Sequence, residues 1–299
     1  MCYLDVVKKA ISPSQTKKKK PSSRNRRRKN GSPDRYSDGS PNRRDGEVNK
    51  EAIQLDKENG NTKWADAEAK EIDKLNSLHS FWSIGMRAPT PKGYKKIPIF
   101  FVYVVKETGR FKARLVAGVH VLPPPIHSVY SGVVSLWAVC MVTFTAKLNN
   151  LVLFATDVSN AYLEAYTGEP LVFTAGPEFG ELEGHTMIVV KALYGIAGSG
   201  RQWAERLATI LCAEGWELCY ADHDVWMKRN GEVYEYIGTY VDDLIIAAKD
   251  PYEIINILTQ KYKLQLKGTE ELRYHLGSHY FRDDDGTLCQ SPRTYVERR

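Results

Sequence analysis

The sequence predicts an α+β fold, with antiparallel hairpins packed on amphipathic helices. Three observations carry that expectation. Paired apolar runs flank short turn signals at 97–106 and 110–121, at 225–228 and 233–240, and again across 274–288. Apolar residues recur at helical spacing around Trp64, around Trp203 and behind Asp250-Pro251. The 299 residues are 42% hydrophobic, enough for one or two domains with a sizeable core.

The chain opens with a different composition. Residues 11–50 hold KKKK (17–20) and RNRRRK (24–29) among Ser, Pro, Gly, Asn and Asp, with almost no large apolar side chains. Such a stretch cannot bury enough surface to offset its chain entropy, so a disordered basic linker is expected over residues 1–60. The formal charge of +6 collects there, and the remainder is mildly acidic. The basic run reads as a nuclear localisation signal, an RNA-binding arm or a solvated linker.

From Asn61 the pattern becomes periodic. Trp64, Ile72, Leu75 and Leu78 predict an amphipathic helix, and two strands joined by ETG follow, carrying Lys112 and Arg114. On spacing alone those two cations are surface charges. The run 130–148 predicts a buried helix with Trp137, Met141 and Phe144 on its core side. Leu151 to Thr156 predicts an apolar strand ending at Asp157, followed by a short helix through Ala161 and Leu163. After strands near 171–174 and 186–191, Trp203, Leu207 and Leu211 mark a helix over 200–214, stopped by Gly215. Asn230-Gly231 is a hairpin signal between the next two strands. Asp250, Pro251 and Glu253 supply cap, first-turn proline and capping-box acid for the last helix, and a final hairpin over 274–288 turns at DDDG.

Five cysteines, at 2, 140, 212, 219 and 289, are odd in number and irregular in spacing, which argues for a reducing, cytoplasmic setting rather than a disulfide framework. Cys212, Cys219 and His223 lack a fourth partner and do not read as a zinc site. The longest apolar run, 133–144, is too short to span a bilayer, and Met1 is not followed by a signal-peptide core, so no membrane association is expected.

The stretch TYVDDLIIAAKD (239–250) sets two adjacent carboxylates between apolar strands. Successive strand side chains point to opposite faces, so Asp242 and Asp243 share a ligand only if the chain turns there. An ordinary polar turn satisfies the pattern equally well, and a functional reading needs a third carboxylate. Asp157 supplies one if its strand lies beside this hairpin. Three convergent carboxylates are what two Mg²⁺ ions require for phosphoryl transfer, because small hard cations take oxygen ligands.

In FKARLVAG (111–118), YSGVVS (130–135), DVSNAYLEA (157–165), KALYG (191–195), YVDDLI (240–245) and YHLG (274–277), the chain resembles the reverse transcriptase of copia-type (Pseudoviridae) long-terminal-repeat retrotransposons. The weaker W..AE..E...L of Trp64 to Leu75 also fits, and the resemblance runs over about residues 60–295. It implies a right-hand polymerase with palm and fingers over 61–295, an antiparallel palm sheet packed on helices, and a thumb cut off at its start in 296–299. It implies RNA-directed DNA synthesis from an RNA template and a DNA primer with deoxynucleoside triphosphates, using two Mg²⁺ ions with Mn²⁺ as an alternative.

Carried over by position, Asp157 and Asp242 ligate both metals and Asp243 assists. Lys112 and Arg114 grip the triphosphate, and Tyr162 packs beneath the sugar to exclude a 2′-hydroxyl, the alternative being a core aromatic. Tyr274, His275, Leu276 and Gly277 steady the primer end, with Asp283, Asp284 and Asp285 as an exposed turn. Two departures stand out. LYGIAGSGRQW replaces the family's LYGLKQAPRAW, putting Gly198 where a nucleotide-contacting Gln is usual and Gly200 where Pro is usual; LVAGVHV lacks the Arg and Phe of LVARGF. With the missing thumb, these departures raise an alternative: a polyprotein fragment or decayed copy that keeps the fold and binds nucleic acid without turnover.

Overall fold

The computed structural model describes residues 47–106, 108–119, 129 and 131–297. The basic runs of residues 17–20 and 24–29, and Tyr130 of YSGVVS, lie outside the described residues.

The expected linker boundary at residue 60 is corrected by a helix, α1, over Glu47–Glu58. Its highly charged sequence gives little sign of this, because the anchor is a polar contact. Asp56 is buried, and its carboxylate accepts the backbone N–H groups of Trp64 and Ala65 at 2.9–3.2 Å. Those are orphan donors of the next helix, α2 (Lys63–Ser77), whose start also favours negative charge. Ile72 and Leu75 then pack α2 onto the hairpin of β3 (Ile99–Val105) and β4 (Phe111–Ala117), meeting Phe101, Ala113 and Leu115. Earlier in the chain, β1 (Phe81–Met86) and β2 (Lys95–Lys96) join β6 (Leu171–Thr174) and β7 (His185–Val189) in a four-stranded sheet ordered β1-β7-β6-β2.

The centre is a six-stranded sheet ordered β12-β5-β11-β10-β9-β8, antiparallel at every pairing. Its strands are β5 (Val152–Val158), β8 (Glu217–Leu218), β9 (Val225–Asn230), β10 (Val233–Tyr240), β11 (Asp243–Ala248) and β12 (Leu266–Glu271). Strand β11 shows why the sheet is buried on both sides. Leu244 and Ile246 face one core with Trp203, Leu207 and Leu211 of α4 (Ser199–Ala213) and Ile254 and Ile255 of α5 (Pro251–Asn256). Ile245 and Ala247 face the other, with Val139, Val142 and Ala146 of α3 (Leu136–Leu148).

Helix α3 overturns one expectation. Trp137, Met141 and Phe144 do not face the core; they are 84%, 60% and 58% exposed. The helix is apolar almost all round, so periodicity could not choose a face, and close approach to the flat sheet selects the smaller Val139, Val142, Thr143 and Ala146. Two hairpins also differ in detail. Asn230 pairs with Val233, so the turn is Gly231-Glu232, with Gly231 at φ 69° in the first central position. The last segment is a meander of β13 (Tyr274–His275), β14 (Ser278–Arg282) and β15 (Leu288–Ser291), with an added tight turn at Leu276-Gly277, before α6 (Arg293–Glu297). Among the described residues no helix is long and apolar enough to cross a membrane.

Candidate active site

The register of the central sheet assembles the site. Asp157 on β5 pairs directly with Asp243 on β11, and its other neighbour, on β12, is Lys267. Cross-strand partners share a face, so one carboxylate stands between another carboxylate and an ammonium group. Tyr240 pairs with Asp243, which leaves Val241 and Asp242 as the two residues of the β10–β11 turn. The Asp pair therefore straddles the end of a hairpin, as the strand geometry required.

The turn is strained and then anchored. Val241 has φ 55°, a left-handed conformation that a β-branched residue adopts at a cost of about 1–3 kcal/mol. Three features hold it. The Trp203 indole N–H donates to the Val241 carbonyl at 2.7 Å, the Val158 N–H donates to the Asp242 carbonyl at 2.7 Å, and the Val241 side chain packs on the α4 core. Two hydrogen bonds at ~1 kcal/mol each offset most of the strain.

Charge at this end of the sheet is costly. Burial, then Asp242 and Asp157, push the Asp243 carboxyl up to about 6. Asp157 is raised by burial and by Asp242 against the pull of Lys267, Lys112 and Lys106; burial and repulsion win. Lys106 and Lys112 belong to the β3–β4 hairpin and its turn, so that hairpin lies near enough for its charge to act on Asp157. Lys112 is lowered to about 8, by burial first and then by Arg114, Lys106 and Lys74, against Glu71.

Two of the predicted nucleotide residues, Arg114 and Tyr162, are joined through a third side chain, Tyr194. Arg114 lies with its guanidinium carbon 5.1 Å from the Tyr194 ring centre, and Tyr194 lies 5.4 Å from Tyr162. Tyr162 sits on the 3₁₀ turn Ala161–Glu164, half-buried, its hydroxyl raised by burial and by Asp242. The β13–β14 turn is only partly as expected. Tyr274 and Leu276 are exposed, whereas His275 is 4% exposed with no partner for Nε2, and offers no surface to a duplex. Asp283–Asp285 is a turn: Asp283 and Asp285 both accept the Thr287 N–H.

Sequence reasoning missed Lys267, Tyr194 and the second role of Trp203. Alternation of Leu264 and Leu266 with Lys and Gln marks β12 and could have found Lys267. Tyr194 and Trp203 lie in recognised motifs, but their partners are remote in sequence. A Cβ at Gly200 would meet Ser131 and come within 3.9 Å of the Tyr162 hydroxyl, and Gly198 lies under Gln202. A cavity of about 590 Å³ lies at the far end of β5 against Lys147, Val152, Arg273 and Arg282.

A family model described as reverse transcriptase (RNA-dependent DNA polymerase) matches residues 84–298. The chain belongs to the reverse transcriptase family. It is 26% identical over 244 residues to the retrovirus-related Pol polyprotein from transposon RE1 of Arabidopsis thaliana, covering 78% of this chain and 16% of that protein. The RE2 polyprotein of the same plant matches at 25% over 246 residues, with the same coverage. The Ty1-DR1 Gag-Pol polyprotein of Saccharomyces cerevisiae matches at 26% over 238 residues, 72% of this chain and 12% of that one. These relatives bear out the resemblance to copia-type retrotransposons, and this reverse transcriptase chain spans less than a fifth of their length. A solved foamy viral protease-reverse transcriptase in complex with double-stranded DNA matches with TM-score 0.39 and 18% identity, over 73% of this chain and 34% of that one.

Among the described residues, no three His, Cys, Asp or Glu side chains are gathered closely enough to hold a metal ion. The donor chemistry nevertheless fits a divalent cation. Asp157 and Asp243 face each other with Asp242 beside them, and each of the first two is held above its ordinary value by burial first and then by neighbouring carboxylate charge, both of which a bound cation offsets.

Proposed function

We propose that this chain is the catalytic part of an RNA-directed DNA polymerase, with the six-stranded sheet and its helices as palm and the β3–β4 hairpin as fingers. The observation that carries the reading is the pairing of Asp157 with Asp243 at the Val241-Asp242 turn, opposite the cations of the hairpin. Two Mg²⁺ ions, with Mn²⁺ as an alternative, held by Asp157 and Asp242 with help from Asp243, would acidify the primer 3′-hydroxyl and neutralise the leaving pyrophosphate. Lys112 and Arg114 bind the triphosphate oxygens of the incoming deoxynucleotide. Tyr162 stands under the sugar and excludes a 2′-hydroxyl. Tyr274, Leu276 and Gly277 contact the duplex of RNA template and DNA primer, and His275 supports their turn from within.

A second reading is a nucleic-acid-binding remnant without turnover. The absence of a gathered metal-holding group among the described residues and the glycine at 198 favour it. Primer extension on an RNA template with Mg²⁺ separates the two. The polymerase reading expects incorporation that Asp157→Asn or Asp242→Asn lowers far more than tenfold, since a shared ligand is worth well over ~1.4 kcal/mol of barrier. Wild-type chain that binds template-primer without extending it would leave the remnant.

A further inference from the structure

Between Arg114 of the hairpin and Tyr162 lies a side chain whose backbone is held on both sides. Tyr194 follows Leu193, which is fully buried and whose carbonyl accepts the Ser199 hydroxyl at 2.7 Å. The Tyr194 carbonyl itself accepts the Ala117 N–H at 2.8 Å, at the end of β4. Gly195 has φ 90°, and a Cβ there would stand 2.3 Å from the Ala117 carbonyl oxygen, so only glycine permits this contact. The backbone is clamped on both sides, and the half-buried ring has little freedom.

That ring meets two residues of the proposed nucleotide site at once. The Arg114 guanidinium lies over it at 5.1 Å and the Tyr162 ring packs at 5.4 Å. Arg114 is exposed at the mid-strand of a two-stranded hairpin, where a long flexible side chain would sample many directions. A flat cation resting on an aromatic face keeps one of them. The helix start supplies no substitute: position 198 has no side chain, and the Gln202 amide lies against Gly168 and Gly198 with a buried, unpartnered Oε1.

We propose that Tyr194 is a positioning residue that couples triphosphate grip to sugar discrimination, its ring orienting Arg114 and backing Tyr162. This rests on the polymerase reading above. A deoxynucleoside triphosphate arriving at the site then finds the guanidinium already directed and the sugar floor already supported, so less ordering accompanies binding.

The test is steady-state incorporation of deoxynucleotides and ribonucleotides on a fixed template-primer with Mg²⁺, together with equilibrium binding of a fluorescent deoxynucleoside triphosphate. Tyr194→Phe should keep KM and the ribo-to-deoxy ratio within twofold, because the ring and not the hydroxyl acts. Tyr194→Leu should raise KM for deoxynucleotides about tenfold with kcat within twofold to threefold, and should raise relative ribonucleotide use severalfold. Added to Arg114→Gln, it should change KM by less than twofold more, since the contact is already gone. If Tyr194→Leu does not fold, Tyr194→Met keeps the bulk without the ring and should show the same KM rise. Multiplicative effects in the double variant, or wild-type KM and ratio in a folded Leu or Met variant, overturn the inference while the polymerase reading stands. A wild type that neither incorporates nor binds the nucleotide removes both.

Discussion

Asp243→Asn is a near-isosteric change that removes one of the two facing charges, and it should make the protein more stable. In the native state this carboxyl titrates at about 6, against an ordinary value of 3.8. The native protein therefore holds a proton through the window between those values while the unfolded chain has released it. Stability falls as pH rises through that window, and the penalty is complete above about pH 6. The displacement corresponds to about 3 kcal/mol at full strength. Asp243 is only about half buried, so solvent screening reduces this to about 1–1.5 kcal/mol. Urea unfolding followed by the fluorescence of buried Trp203 and Trp226 reports the difference. At pH 8, Asp243→Asn should gain about 1–1.5 kcal/mol at unchanged m, and the gain should shrink steadily toward pH 5. Millimolar Mg²⁺ at pH 8 should narrow the gap by stabilising the wild type selectively. A variant less stable than wild type at pH 8, or a gain that ignores pH, would falsify the view that the paired carboxylates are held against their own repulsion.

Tyr162→Ala should raise ribonucleotide use relative to deoxynucleotide use at least tenfold in steady-state incorporation; an unchanged ratio makes Tyr162 a core residue. His275 is held down to about 4 by burial, so it stays neutral in the native state while the unfolded chain takes a proton below its ordinary 6.5, and stability drains as pH falls through that window. His275→Phe should stabilise by about 1–2 kcal/mol at pH 7.5, by removing a buried atom without a partner, and by more at pH 5; equal stability at both pH values excludes the mechanism. On α3, Trp137→Gln and Phe144→Gln should change stability by under about 0.5 kcal/mol, whereas Val142→Ala should cost about 1–2 kcal/mol. Thermal melts that reverse this order would place the core on the other face.

What was legible in the sequence followed from period and punctuation. The continuous apolar runs of 151–156 and 244–248, with Asp157 ending one and Asp242-Asp243 opening the other, were enough to bring the carboxylates together once the strands were taken as neighbours. The 3.6 period of α4 named Trp203, Leu207 and Leu211 as core, and they are. Period failed where it carried no contrast: α3 is apolar on every side, so nothing in its spacing distinguished Val142 from Phe144. Composition failed at α1, where a charged segment folds because Asp56 closes the start of α2. Residues joined only through the fold, such as Arg114 with Tyr194 or Trp203 with Val241, left no local pattern to read.

The positions that break local rules are concentrated where chemistry is proposed. A β-branched residue in a left-handed turn and two carboxylates facing each other across a ladder are each unfavourable alone, and they occur within three residues of one another. Neither is needed to make the hairpin: with φ positive only at its first position, the turn would accept Gly-Asn at 241–242, which relieves the strain and removes the charge of Asp242. The compensation is drawn from outside the turn, from an indole on α4 and a backbone amide on β5. Those contacts restore stability without moving the acids. A turn held this way keeps Asp242 and Asp243 at a fixed end of the sheet whatever their charge, so a cation arriving there gains the full relief of their repulsion and meets no opposing collapse of the loop.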